Sequence, residues 1–173
     1  GDHRDLHSFP TTTLFRSLQY DGIKGNVTAD GYKDHIAVDS VQFGVGRGIS
    51  MEPGNMSNRE ATRPSVSEVT LTKVADNSVT AIFKEAVTGS AGKKVVIKFV
   101  RTGADKVQEF MDYTLEDCLV SGYSMSATSE GDPVESITLS FAKIMINYND
   151  FDKSNKSSSP QRVGYDLTTA KPL

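Results

Sequence analysis

The sequence contains no tryptophan, one cysteine, three histidines and no long apolar run. With Cys118 alone, an internal disulfide and a multi-cysteine metal site are both excluded. That single thiol leaves the compartment open, because secreted domains also fold without disulfides. The longest apolar stretch, "VVIKFV", is interrupted by Lys98. A bilayer-spanning helix takes roughly 18 to 20 apolar residues, so no membrane insertion is expected. Positive charge is not in excess either: 19 Lys and Arg stand against 22 Asp and Glu, a formal net charge of −3. Nucleic acid is therefore not an expected partner. What remains is an ordinary soluble composition, 37% hydrophobic and 24% charged over 173 residues, enough for one domain with a real core.

Residues 1–13, "GDHRDLHSFPTTT", read as a vector-derived remnant or disordered tail and lack the apolar h-region of a signal peptide. Residues 14–173 then form a single domain in which strand signals dominate. "TLFRSLQY" runs into the turn pair "DG". In "HIAVDSVQFGVG", Ile36 and Val38 share one face, whereas Val41, Phe43 and Val45 share the other. Such a phase change marks a bulge or bend that carries the chain between sheet surfaces. "ESITLSFAKIMINYND" repeats it, passing from Ile137, Leu139 and Phe141 to Ile144, Ile146 and Tyr148. "EVTLTKVAD", "KKVVIKFVR" and "KVQEFMDYTLEDCLVSGYSMS" supply further strands, the last two separated by the break "TGAD". "VGYDL" adds a short final strand after a Ser-rich stretch. Only "DNSVTAIFKEAVTGSAG" has a helical period, with Val79, Ile82, Phe83 and Ala86 in one apolar stripe. Asp76, Asn77 or Ser78 caps its start, and Gly89 stands where a C′ glycine belongs. One helix among long bent strands predicts a mainly β fold, a barrel or a tightly curved sandwich.

A search for chemistry finds none. Gly44, Gly46 and Gly48 lack the third spacing of a dinucleotide loop, and Pro53 and Gly54 stand where a helix should begin. His3 and His7 lie in the terminal segment, and His35 reads as a surface or strand-edge side chain. Cys118 reads as a buried strand thiol, and His35 is its only plausible activating base. Glu116 and Asp117, as neighbours on a strand, should point to opposite faces, so they cannot share a site. Glu130 and Asp132 sit in the turn-like "SEGDP", and Lys93 and Lys94 open a strand as a solvated end. No catalytic, cofactor-binding or metal-binding set emerges, and the chain does not read as an enzyme.

Five blocks, in order, resemble the hemolysin-coregulated protein (Hcp) family, which forms the inner tube of the bacterial type VI secretion system. "LQYDGIKGNVTADGYKDHIAVDSVQFGVG" is similar to the family's opening strand, its "v-G-E-S-t-D-x-x-H" turn and its second strand. Asn26 and Val27 replace the usual Glu-Ser, and the usual His falls at or near Tyr32. "TLTKVADNSVTAIFKEAVTGSAGKKVVIKFVRTG" resembles the strand, the helix start and the strand that follows. "FMDYTLEDCLVSGYSMS", "DPVESITLSFAKIMINYND" and "VGYDL" complete the order, with Tyr165 where the family has Trp. The resemblance implies a compact two-sheet β-barrel with one flanking helix, assembled into hexameric rings that stack head-to-tail. It implies a tube expelled by sheath contraction, with the spike and effectors, from the cytoplasm and without a Sec signal. The implied partners are the chain itself, sheath and spike proteins, and effectors held in the ring.

Within that frame, "GVGRGISMEPGNMSNREATRPS" (44–65) is a long unstructured loop over a neighbouring subunit. Its glycines permit unusual backbone angles, Met51 and Met56 give adaptable apolar contact, and Arg47, Arg59 and Arg63 give donors. The plainer reading is a floppy surface loop, and a segment mobile alone and ordered on assembly satisfies both. Ser40 and Gln42, opposite in phase to Val41 and Phe43, face the lumen by family analogy or form an ordinary exposed face. The rival readings are a monomeric β-sandwich binding carbohydrate or a surface receptor, and a hydrolase using His35 or Cys118.

Overall fold

Fourteen strands and one helix account for the regular structure of the described residues in the computed structural model. These residues are 14–51, 53–54, 59–102, 107–151 and 160–173, with 51, 59–61 and 102 described as backbone only. The strands are β1 (Phe15–Tyr20), β2 (Ile36–Val38), β3 (Ser40–Gln42), β4 (Val45–Gly46), β5 (Ile49–Met51), β6 (Arg59–Ala61) and β7 (Ser65–Val66). They continue with β8 (Val69–Val74), β9 (Lys93–Thr102), β10 (Val107–Ser126), β11 (Val134–Ser140), β12 (Lys143–Tyr148), β13 (Gln161–Asp166) and β14 (Lys171–Pro172). The helix α1 (Val79–Thr88) lies between β8 and β9. The tail at 1–13, residues 103–105 of the "TGAD" break and the Ser-rich stretch at 152–159 fall outside the described residues.

Every ladder is antiparallel, and β10 organises them. Its first half, Met111–Glu116, pairs with β12 on one side and β9 on the other. That sheet runs β2–β1–β9–β10–β12–β13–β14. Its second half, Leu119–Ser126, pairs with β11 and continues into β8 and β3 as a second sheet. The expected phase changes are the two places where the chain crosses between sheets. Asp39 separates β2 from β3, and Phe141–Ala142 separates β11 from β12. Leu18, Ile36, Leu71, Ile97, Leu115, Ile137 and Leu139 meet between the sheets, each almost fully buried. Among the described residues no ladder joins β2 or β3 to β13 or β14, so barrel closure is not part of these pairings.

Two local expectations are corrected. Of the helical stripe only Ile82 is fully buried, and Phe83 is 53% exposed, resting edge-on against Tyr123 with centroids 5.9 Å apart. Ala81 and Ala86 pack beside Ile82 against the core, while Phe83 lies at the edge of that contact. Gly89 closes the helix at φ −66, ψ 115 rather than in the left-handed region, its N–H donating to Glu85 O. At the other end, Asp76 Oδ1 accepts from Ser78 N at 2.8 Å and from the Ser78 hydroxyl, while Ser78 itself makes no side-chain cap.

The segment between β1 and β2 covers the outer face of the first sheet. Val27 N donates to His35 O, and Asp34 N to Val27 O. Phe15, Val27, Tyr32 and Val100 form a small second core beneath it. Tyr32 packs edge-on against Phe15 and His35, and its hydroxyl donates to Glu109 Oε1 at 2.8 Å. His35 Nδ1 shares a 2.6 Å hydrogen bond with the fully buried Ser17 hydroxyl. Burial, and next the Lys98 ammonium, hold the imidazole below its ordinary value of 6.5, against the opposing pull of Glu109 and Asp34. The unfolded chain therefore takes up this proton first, and His35 costs stability as pH falls below about 6.5. The urea midpoint should drop between pH 7.5 and 5.5, and His35→Asn should flatten that drop; an unchanged slope would remove His35 from the account.

Candidate functional site

The segment after β3 is not the unstructured loop its composition suggests. Val45 pairs with Val66 and Gly46 with Ser65. Further out, Ile49 pairs with Ala61, Ser50 with Glu60 and Met51 with Arg59. Two hydroxyls support the spaces around these ladders: Gly44 N donates to Ser67 Oγ and Gly48 N to Thr62 Oγ1, both at 2.8 Å. The two registers differ by one residue, so Arg47 lies opposite both Arg63 and Pro64. Proline has no N–H for a ladder, and a bulge is where a strand accommodates it. The arm is a bulged β-hairpin whose sequence signal, a glycine-rich run, hides strands held by cross-chain hydroxyls.

Of the glycines in this arm, Gly54 has a positive φ, +84, as the turn at Pro53–Gly54 requires. Gly44, Gly46 and Gly48 do not, which corrects the expectation of unusual angles there. Val45, expected on the core face, is 64% exposed, and Ile49 is 55% exposed, because the hairpin projects beyond the second sheet. Arg47 and Arg63 are exposed and make no ion pair with a described residue. Met51 and Arg59 lie in the outer ladder, where only backbone is described, and Met56 falls outside the described residues.

Ser40 and Gln42 are both exposed on β3, with Val41 turned inward against the core. Register places Ser40 in a row with Thr72, Ser136 and Ser124 across four strands. Gln42 begins the next row, Thr70, Thr138 and Gly122. Directly opposed residues share a face, so these two rows form one surface of small uncharged side chains. The hydroxyls of Ser40 and Thr72 lie 2.5 Å apart. Five of these hydroxyl residues, Thr70, Thr72, Ser124, Ser136 and Thr138, were not singled out from sequence. The alternation in "VTLTK" and "ESITLS" carried the signal.

His35 packs beside Tyr32 of the second core, whereas Cys118 lies in the main core. Cys118 is fully buried, and that burial, with Asp117 beside it, pushes the thiol up to about 12. It should stay unmodified by an aromatic disulfide reagent at pH 8 until denaturant is added; labelling of the native chain would refute this. Glu116 and Asp117 are both exposed and line one cleft with Lys93, Lys94 and Lys143, contrary to the alternation expected of them. The ladder shifts register between Leu115 and Cys118, and Asp117 takes φ +54. Gly92 makes room for it, since a Cβ there would lie 2.7 Å from Asp117 Cα. Glu116 stands opposite Lys143, whose ammonium is 4.0 Å from Asp166 Oδ2, an arrangement of alternating charge rather than an acid–base pair. No cluster of possible metal ligands occurs among the described residues, and none of their helices is long and apolar enough to cross a membrane.

The exposed hairpin thus stands beside a sheet face whose two described rows carry no charge. Comparison with known proteins gives this arrangement its family. The family model described as "Type VI secretion system effector, Hcp" matches residues 18–148. The chain belongs to the Hcp family. No match is found among curated proteins. Solved structures share the fold at low identity. A type six secretion system protein aligns with TM-score 0.85 at 24% identity, covering 93% of this chain and 100% of that one. Hcp1 from Salmonella typhimurium aligns with TM-score 0.76 at 22% identity, covering 94% and 100%. A type VI secretion system effector from Yersinia pestis aligns with TM-score 0.67 at 21% identity, covering 89% and 99%. The fold of this chain is Hcp-like and mainly β, and the reading of a carbohydrate- or receptor-binding sandwich finds no support in these matches.

Proposed function

We propose that this Hcp-family chain is a non-enzymatic tube subunit, forming hexameric rings that stack and leave the cell through a type VI secretion system. The observation that carries the reading, beside family membership, is the two-row hydroxyl face of the second sheet. Facing a lumen, Ser40, Gln42 and their row partners offer cargo many weak hydrogen bonds and no fixed charge, which suits capture followed by release. The two sheets would complete a barrel within the ring, and the hairpin of β4–β7 would reach a neighbouring subunit. Its partners are then further copies of itself, sheath and spike proteins, and effectors. The chain would be cytoplasmic before export and secreted after it.

Light scattering after size exclusion, with negative-stain images of the same peak, tests this. Six-subunit rings with a central hole are expected. A monomer at every accessible concentration would overturn the proposal.

A further inference from the structure

Next to the two hydroxyl rows, the outward face of the second sheet carries a carboxylate that is held in place. Glu68 is exposed and immediately precedes the buried Val69 of β8, so alternation turns it to the side of Thr70 and Thr72. Its Oε2 accepts from the Ser121 hydroxyl of β10 at 3.0 Å. β8 and β10 flank β11 and so lie about 10 Å apart at the usual strand spacing. The Glu68 side chain therefore reaches across β11, and its carboxylate stands over the sheet rather than at its rim. Ser121 Oγ also lies 3.2 Å from Thr138 O, which fixes the hydroxyl above that strand.

Glu68 makes no ion pair with a described residue. Nor does a described Lys or Arg project from this face. Lys73 points inward to Glu135, Arg16 reaches Asp39 O from β1, and Arg47 and Arg63 lie on the arm. At the far end of the face, beyond Thr72, Val74 borders a recess that the exposed Asp39 and Asp132 also line. Both ends of the hydroxyl rows therefore carry the same sign.

In a ring, symmetry repeats Glu68 once per subunit at one height. Like charges facing a confined lumen with low-dielectric walls reinforce one another, as carboxylate rings do in cation-selective pores. No cluster of possible metal ligands occurs among the described residues, so the complement of this face is a charged chain rather than a bound ion. Ammonium or guanidinium groups would meet the carboxylates, and the Ser and Thr hydroxyls would meet the backbone that carries them.

We propose that the cargo of this face is a cationic polypeptide segment, selected by Glu68. The inference rests on the ring reading above and deepens it, by giving the cargo a sign and the selection a residue.

Fluorescence anisotropy of isolated rings with labelled oligolysine, and with labelled oligoglutamate of equal length, tests this. Light scattering first establishes that each variant still forms the parent's ring. The parent should bind oligolysine and not oligoglutamate, less tightly as salt rises. Glu68→Gln should weaken oligolysine about tenfold, the loss of several exposed pairs of modest strength. Glu116→Gln, which removes the same charge from the first sheet, should leave binding unchanged, and Glu68→Lys should turn the preference to oligoglutamate. Equal binding of oligolysine by Glu68→Gln and parent rings would overturn Glu68 as the selecting residue. Equal binding of both probes by the parent, or of neither, would overturn the cationic cargo while the ring reading stands. That comparison uses the parent alone, so it decides the matter even where a variant fails to assemble. If the parent forms no ring at any concentration, the ring reading fails and takes this inference with it.

Discussion

Replacing Lys73 with methionine should lower the unfolding free energy by about 3–5 kcal/mol, the cost of stranding one partner of a buried ion pair. Its side chain is fully buried on β8, whereas every other described lysine is partly or fully exposed. The ammonium donates to the Glu135 carboxylate, also fully buried, and to Asp76 Oδ1 at 3.1 Å. Glu135 accepts a further hydrogen bond from the Tyr123 hydroxyl at 2.7 Å, and Asp76 holds the start of α1 through Ser78. The network thereby ties two strands of the second sheet, β10 and the helix together. Lys73→Met leaves the buried Glu135 carboxyl without its main partner. The double variant Lys73→Met with Glu135→Leu should recover most of the loss, since apolar replacement of a whole buried pair is often neutral. Urea unfolding of the three proteins measures this. Equal losses in the single and double variants would locate the cost in packing rather than in stranded charge.

Gly25→Ala should cost about 3 kcal/mol, at the upper end of what overpacking does. A Cβ at Gly25 would lie 2.2 Å from His35 O and 2.8 Å from Ile36 Cα. Both are backbone atoms, so no rotamer change relieves the collision. Gly25 is also fastened on both sides, its N–H donating to Asp34 O at 2.8 Å and its carbonyl accepting from Asn77 Nδ2 at 3.3 Å. The covering segment must lift, exposing Phe15, Val27 and Tyr32. Gly46→Ala on the arm is the contrast. Nothing lies within 4 Å of a Cβ there and φ is not positive, so the change should stay within about 0.5 kcal/mol. Thermal unfolding of both variants checks the pair of values, and a Gly25→Ala protein that melts with its parent would refute the collision.

Properties of local period were legible in the sequence. Period-two alternation marked the main strands, and its two phase changes marked the crossings at Asp39 and Phe141–Ala142, because a strand that changes sheet must change which side faces the core. The burial of Cys118 and the membership of Ser40 and Gln42 in an exposed face followed from the same alternation. Tertiary structure alone decided the rest. The partner of Lys73 lies 62 residues away, a pairing that only the β8–β11 register creates. The hairpin of the arm depends on hydroxyls of Thr62 and Ser67 reaching across to glycine N–H groups, which a run of glycines does not announce. A bulge turned Glu116 and Asp117 to one side, against the alternation that misplaced them. Val163 on β13 is 59% exposed at the edge of a seven-strand sheet that faces one of four, and no single strand's sequence records the width of the sheet opposite it.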